Sequence, residues 1–254
     1  RDGDWKGHDE RYRRTDEYLS IMRRTWEHDA NGREPFDFDG EFYQIVGQNP
    51  EVLPTQPGGI PLYFGGASDI AFETGTKHAD VYMMWGEPRA SIQATIQRVH
   101  TMAAKHGRKP RLSVSFRPII APTEDQAWEK ARNYLAAVQK LSKQPLDFRP
   151  QSRGSQRLLE FAAQGEIHDE RLWMPIAGAT GAAGNSTALV GTPEQVAEVL
   201  LKYIDLGVTT ILIRGFEPLP DAIDYGQELI PMVKDEVARR DAEAARQETA
   251  AVAD

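Results

Sequence analysis

Residues 61–69, Pro61-Leu62-Tyr63-Phe64-Gly65-Gly66-Ala67-Ser68-Asp69, decide how the rest of the chain is read. The apolar run from Ile60 to Phe64 predicts a short strand, which ends in two glycines before a helix predicted over 68–78. A continuous apolar strand, rather than an alternating one, is what a parallel sheet covered by helices requires. The same cadence recurs downstream. Val81 to Trp85 predicts a second strand, closed by Gly86-Glu87-Pro88 and followed by a helix from about Arg89 to His106. Leu112 to Ile120 predicts a third strand and Thr209 to Ile213 a fourth, with the last helix over 219–240. Thr123-Glu124-Asp125-Gln126 has the form of a capping box, and Thr192-Pro193-Glu194-Gln195 places proline at a first helical position. That second helix runs to Leu206-Gly207, where glycine suits a left-handed cap. Strands alternating with helices give parallel pairing through right-handed crossovers, hence an α/β fold. Four such units are visible, where a closed (β/α)8 barrel has eight.

Outward from this core the pattern changes. Residues 10–28 predict an amphipathic helix with an apolar stripe of Tyr12, Tyr18, Leu19, Met22 and Trp26, broken at Asn31-Gly32. Phe36 to Tyr43 alternates like a hairpin closed by Asp39-Gly40, and Pro50, Pro54, Pro57 and Pro61 mark a link. Between Lys140 and Thr187 the cadence stops. This stretch holds Arg149, Arg153, Arg157, a short helix expected near Gln156 to Gln164, and the glycine-rich run Gly178 to Asn185. So long an interruption of a compact domain reads as an insertion or active-site lid, over about 141–187. Residues 1–240 are therefore taken as one domain, and the alanine-rich 241–254 as a flexible charged tail, a frayed helix.

Composition narrows the function. The chain has 254 residues, 40% hydrophobic and 27% charged, with formal net charge -8. An acidic balance argues against a surface that tracks nucleic-acid phosphates. With no cysteine, disulfides, thiolate metal sites and a cysteine nucleophile are excluded within this stretch, and a cytoplasmic location is expected. No apolar run approaches the ~18 residues of a membrane span, so no membrane partner is expected. The six histidines lack His-x-x-x-His spacing, so no metal site is expected. No Gly-x-Ser-x-Gly elbow is present for nucleophilic hydrolysis. Gly178 to Gly184 does not follow a clear strand and so is not read as a dinucleotide loop. The charged start Arg1-Asp2-Gly3-Asp4, without an apolar region or initiator Met, is read as a processed or truncated beginning.

Several segments in order resemble one family. His8-Asp9-Glu10-Arg11-Tyr12 is similar to the segment that opens a helix in the flavin-dependent luciferase-like monooxygenases, and Pro61 to Asp69 to their phosphate loop after strand five. Trp85-Gly86-Glu87-Pro88, Ala104-Lys105-His106-Gly107-Arg108-Lys109 and Thr187-Ala188-Leu189-Val190-Gly191 resemble the alkanesulfonate monooxygenase branch. The resemblance implies a TIM barrel of the bacterial luciferase-like type. The four strands would be its fifth to eighth, with the lid between the seventh and eighth and the first half lying outside this sequence. It implies FMN, used reduced, with molecular oxygen as co-substrate and an NAD(P)H-dependent flavin reductase as partner. It also implies a small organic, organosulfur substrate and a homo-oligomer, dimer or tetramer. A deazaflavin (F420)-dependent oxidoreductase, or a non-catalytic flavin-binding barrel, are the alternatives.

The candidate residues are weighed singly. A strand ending in Gly65-Gly66-Ala67-Ser68 before a helix lets backbone N–H groups and the helix dipole meet an anion, which the resemblance makes the FMN phosphate. An ordinary tight turn would have the same residues. His8 and Tyr12 lie four apart, on one side of a helix start. The resemblance gives them to the flavin, and a surface histidine beside a core tyrosine is the plain alternative. Trp85 ends a strand at the C-terminal mouth, where barrel sites lie, as a pocket wall or as packing. Arg117 and Arg214 sit in or just after apolar strands, where a cation needs a partner. They suit an anionic head group such as a sulfonate, or a salt bridge to a carboxylate such as Glu217. The alkanesulfonate pattern has histidine at Arg117, tyrosine and a nearby histidine at Phe216 and Pro218, and a lid arginine within Gly178 to Gly184. This chain departs from it at each.

Overall fold

The computed structural model describes residues 5–27, 34–141, 150–184 and 186–253. The expectations at Arg1 to Asp4, Asn31-Gly32, Arg149 and Asn185 lie outside the described residues. The chain divides into two compact units, residues 1–83 with 97–111, and 84–96 with 112–254.

In the first unit, helix α1 (His8–Trp26) precedes an antiparallel hairpin of β1 (Phe36–Asp39) and β2 (Gln44–Gln48). The hairpin turns later than the alternation predicted: Gly40 to Tyr43 form the loop, closed by Gly40 N–H donating to the Tyr43 carbonyl at 2.9 Å. The cause is a residue far away in sequence. The Glu17 carboxylate accepts the backbone N–H groups of Glu41, Phe42 and Tyr43 at 2.6, 2.9 and 3.1 Å. Those amides are thereby withheld from a strand ladder. Next come β3 (Tyr63–Gly65), α2 (Asp69–His78) and β4 (Val81–Trp85). β3 and β4 run parallel in the register Tyr63–Val81, Phe64–Tyr82, Gly65–Met83. β3 starts later than the apolar run because the Leu62 N–H goes to the Asp80 carboxylate at 2.8 Å. Asp80 also takes Arg23 at 2.6 Å and Arg108 at 2.8 Å, and so clasps α1 and the segment after α3 (Arg89–Ala104) to the start of β4.

The second unit is built on β5 (Arg111–Ile120). After it come α4 (Glu124–Leu141), α5 (Arg153–Gln164), β6 (Ile167–His168), β7 (Leu172–Trp173) and α6 (Pro175–Ala179). β8 (Ala188–Gly191), α7 (Pro193–Asp205) and β9 (Thr210–Ile213) follow. Ser113 to Phe116 of β5 pair in parallel with β9, and Arg117 to Ile120 pair in parallel with β8. The antiparallel hairpin β6–β7 adds to β8. The interruption thus contains the expected helix, starting three residues earlier at Arg153, plus a hairpin and α6 that no periodicity announced. Two-residue strands carry no readable period.

The capping box at Thr192 and Gln195 is formed, and Gly207 follows α7 at φ 99°, the left-handed region. The closing helix is not one piece. α8 (Pro218–Asp224) passes through a π-helical turn, Tyr225–Leu229, into α9 (Ile230–Ala253). Pro231 lacks an N–H and crowds the carbonyl four residues back, which the wider turn relieves. α9 continues past Arg240 through the alanine-rich, charged segment to Ala253.

Candidate flavin and anion sites

The phosphate-loop residues come together in the first unit. Ser68 is the N-cap of α2 with extended backbone, φ -83° and ψ 161°, and its side chain makes no capping hydrogen bond. Its Oγ is buried with no hydrogen-bond partner among the described residues. An N-cap serine normally satisfies an orphan amide, so a buried free hydroxyl here is an uncommitted donor. Gly66 is closely surrounded. A Cβ there would lie 2.5 Å from the Ala71 Cβ and 3.2 Å from the Tyr12 hydroxyl. The Gly66 carbonyl accepts from the Tyr82 hydroxyl at 2.8 Å. Rings of Tyr12, Phe64, Tyr82 and Phe72 form a continuous column, with Phe72 and Tyr82 stacked at 5.4 Å. The column fixes the loop from below by packing rather than by its own turn chemistry.

His8 and Tyr12 do share one side of α1, their ring centroids 5.0 Å apart. His8 is exposed and its Nδ1 lies 2.6 Å from Asp9 Oδ1. Sequence reasoning missed Arg98. It pairs with Asp69 Oδ1 at 2.6 Å in the first turn of α2 and lies over the Phe72 ring at 4.0 Å. That sets a guanidinium one residue from the serine cap. Nothing local in sequence marks it, because α3 delivers it from about thirty residues away.

The residues proposed for catalysis fall in the second unit. Arg117 Nη1 donates to the Gly215 carbonyl at 2.9 Å, and its guanidinium lies 5.0 Å from the Phe216 ring centroid. Burial lowers its pKa from the ordinary guanidinium value, and the charge of Arg214 lowers it further. Arg214 itself is exposed. Glu217, the carboxylate weighed as a salt-bridge partner, accepts instead from the Tyr134 hydroxyl at 3.1 Å. Tyr134 packs on Phe216 at 4.8 Å, and burial raises its phenol pKa.

The loop carrying Gly215 is braced by Asp221, which is 2% exposed. Asp221 accepts from Lys130 Nζ at 3.2 Å and from the Glu217 N–H at 2.9 Å. A Cβ at Gly215 would fall 2.3 Å from Asp221, so only glycine fits. Trp85 is half-buried, its ring 3.2 Å from where a Cβ of Gly154, in α5, would stand. Among the described residues no helix is long and apolar enough to cross a membrane, and no group of three metal-ligating side chains converges.

A parallel βαβ chain with a glycine–serine loop opening a helix defines the class: an α/β protein of the luciferase-like fold. Residues 1–210 match the family model for luciferase-like monooxygenases, and the chain belongs to that family.

Solved structures agree in fold. A riboflavin lyase crystallised with modified FMN and riboflavin superposes at TM-score 0.68 with 19% identity, covering 91% of this chain and 59% of that one. An EDTA monooxygenase from Chelativorans sp. BNC1 gives 0.69 and 18%, covering 91% and 61%. An F420-dependent secondary alcohol dehydrogenase, in complex with an F420-acetone adduct, gives 0.59 and 18%, covering 91% and 64%. This chain thus spans less than two thirds of the length of each.

Proposed function

We propose that the chain belongs to a two-component monooxygenase that takes reduced FMN from an NAD(P)H-dependent reductase and oxidises a small organic anion, with alkanesulfonates the leading class. The observation that carries this reading is the buried, unpartnered Ser68 hydroxyl above Gly65-Gly66 at the start of α2. Its chemistry fits a phosphate. A hydroxyl donor, free amides of a helix N-terminus and the nearby Arg98 guanidinium all favour an anion. When bound, reduced flavin supplies the electrons by which one atom of molecular oxygen enters the substrate and the other leaves as water.

The chain's own residues do the positioning. Ser68 and the first amides of α2 hold the phosphate, while Gly66 keeps the backbone low enough for Tyr12 to approach. His8, beside Tyr12, offers a second polar contact to the flavin. Arg117 and Arg214 bind the anionic head, Arg117 aimed by the Gly215 carbonyl and the Phe216 face. Guanidinium suits tetrahedral oxyanions. Trp85 walls the substrate from water.

Fluorescence titration of the full-length protein with FMN, and anaerobically with reduced FMN, tests this reading. Micromolar or tighter binding that prefers the reduced form supports it, and folded protein that binds neither form overturns it. The likeness to an F420-dependent enzyme supports a second reading, hydride transfer from a deazaflavin without oxygen. The absorption spectrum of reconstituted protein separates the two.

A further inference from the structure

The segment Trp85-Gly86-Glu87 ends β4, and each of its residues serves a different neighbour. The Trp85 ring lies against Gly154 in the first turn of α5. Gly86 is pressed so closely that a Cβ would sit 2.3 Å from the Phe116 ring and 2.7 Å from Thr187 Oγ1. The Glu87 carbonyl accepts from the Tyr203 hydroxyl of α7 at 2.8 Å. The Glu87 side chain, on a residue only 6% exposed, meets Arg157 of α5 in a close ion pair. Ser91 Oγ donates to the same carboxylate at 2.8 Å, and Arg157 also reaches Ser91 Oγ at 2.8 Å and Thr95 Oγ1 at 3.4 Å.

We propose that Arg157 and Glu87 are positioning residues: their buried ion pair seats α5 against Trp85 and thereby sets the wall of the substrate site. The geometry supports a specific seat rather than incidental packing. α5 touches the strand end at two points one turn apart, Gly154 on Trp85 and Arg157 on Glu87. A side chain at 154 would crowd the indole, since its Cβ would stand 3.2 Å from the Trp85 ring. At the second point one carboxylate oxygen, Glu87 Oε2, takes both the guanidinium and the Ser91 hydroxyl. A buried pair of this kind adds little net stability over apolar packing, but removing one partner strands a charge, so it specifies position more than it stabilises.

Charged and titratable groups around Glu87 come from each packed element. α5 brings Arg153 and Arg157, α7 brings Tyr203, and α3 brings Arg89, which is taken by Glu170 at 3.0 Å. His168 of β6 touches α5 further along, its Nε2 2.8 Å from the Phe161 carbonyl. Burial outweighs the pull of Arg157 and Ser91 and already holds the Glu87 carboxyl above the ordinary carboxylate range. Without Arg157 it is pushed higher still. The carboxyl is then protonated and tolerated in its seat at acid pH, and charged and unpaired at alkaline pH.

The role of Trp85 rests on the monooxygenase reading. The seating of α5 does not, and it is measured without flavin, so the two can fail separately. Hydrogen exchange over residues 153–164 of the full-length protein is compared for wild type, Arg157→Met, Glu87→Gln and the double Glu87→Gln/Arg157→Met. Arg157→Met is expected to lower α5 protection about tenfold or more at about pH 8, and by much less at about pH 5.5. Wild type and Glu87→Gln should show no such pH step, and the double variant should recover most of the protection. His168 is unchanged in all four proteins, so any contribution from it cancels from the comparison. Unchanged protection in Arg157→Met overturns the proposal. So does a loss equal in the single and double variants, because Arg157 would then hold α5 by something other than Glu87. If Arg157→Met does not fold, the double variant decides alone, since folding with protection near wild type is the expected rescue.

Discussion

Ser68 shows how a site is written into a single atom. Its Oγ is buried and makes no hydrogen bond among the described residues, an arrangement that costs stability and that a stability-optimised sequence would avoid. Alanine should remove that cost while losing no cap, since the side chain caps nothing. Ser68→Ala is therefore expected to leave the flavin-free protein as stable as wild type, or more stable by up to about 1 kcal/mol, in urea melts. In the same variant FMN affinity should drop about tenfold, the loss of one hydrogen bond to a charged group. A drop in both stability and affinity would mean the hydroxyl supports the turn and not the ligand. Gly66→Ala should act differently. Its new Cβ lies 2.5 Å from that of Ala71, so overpacking is expected to cost about 1–3 kcal/mol in the same melts. At this scale the sequence was informative where chemistry is local. Gly65 to Ser68, and His8 with Tyr12, are near neighbours along the chain, and their pattern survives without a fold. Arg98 and Arg157 were not legible as partners of Asp69 and Glu87, because α3 and α5 carry them in from distant stretches of chain.

Elements are joined here by carboxylates whose partners lie far apart in sequence, and this explains which boundaries sequence could place. The helices with caps, α4 and α7, begin where Thr123 and Thr192 predicted, because capping chemistry lies within four residues. The hairpin turn and the start of β3 did not, because Glu17 and Asp80 remove amides from the ladders from outside. Asp80 is the stronger case. Burial pushes its carboxyl up, yet hydrogen bonds from Arg23 and the Leu62 amide, with the charges of Arg23 and Arg108, hold its pKa below the usual range. Arg23 and Arg108 each also carry a buried Nε without a partner among the described residues, and beyond the carbonyls of His78 and Ala79 each is held by the Asp80 charge. Asp80→Ala should leave two guanidinia facing one another and cost about 3 kcal/mol or more by denaturant melts. Removing both cations as well should cost less than the sum of the separate losses. If the three single changes proved additive, the clasp would not be a coupled unit.

Across the whole molecule, the α/β class was legible because four strands read as continuous apolar runs and the helices between them carry start or stop signals such as Thr123, Thr192 and Gly207. The β6–β7 hairpin with β8, and the π-turn before Pro231, were not legible, since neither leaves a period in the sequence. Charge is also a whole-molecule property, and it gives an acid response with a defined sign. Asp16 and Asp80 are held below the ordinary carboxylate range, Asp16 first by its bond from His78. Glu124, Glu170 and Glu236 are each pulled down to about 2, first by Arg171, Arg89 and Arg239 respectively. A carboxylate whose folded pKa is depressed contributes stability that is present above its unfolded pKa and lost as pH falls through the folded one. All five act in that direction, so stability should decline from about pH 5 and go on declining toward about pH 2. The five differ in exposure. Glu124 and Glu170 face solvent and their pairs are screened by salt, whereas Asp16, Asp80 and Glu236 are partly covered and screened less. Urea melts across this range at low and high salt should therefore show a shallower acid decline at high salt, with a residual slope that shrinks when Asp80 and Asp16 are both replaced by asparagine. An acid decline independent of salt would place the sensitivity in the buried carboxylates alone, and a decline erased by salt would leave Asp80 without the coupling its two arginines imply.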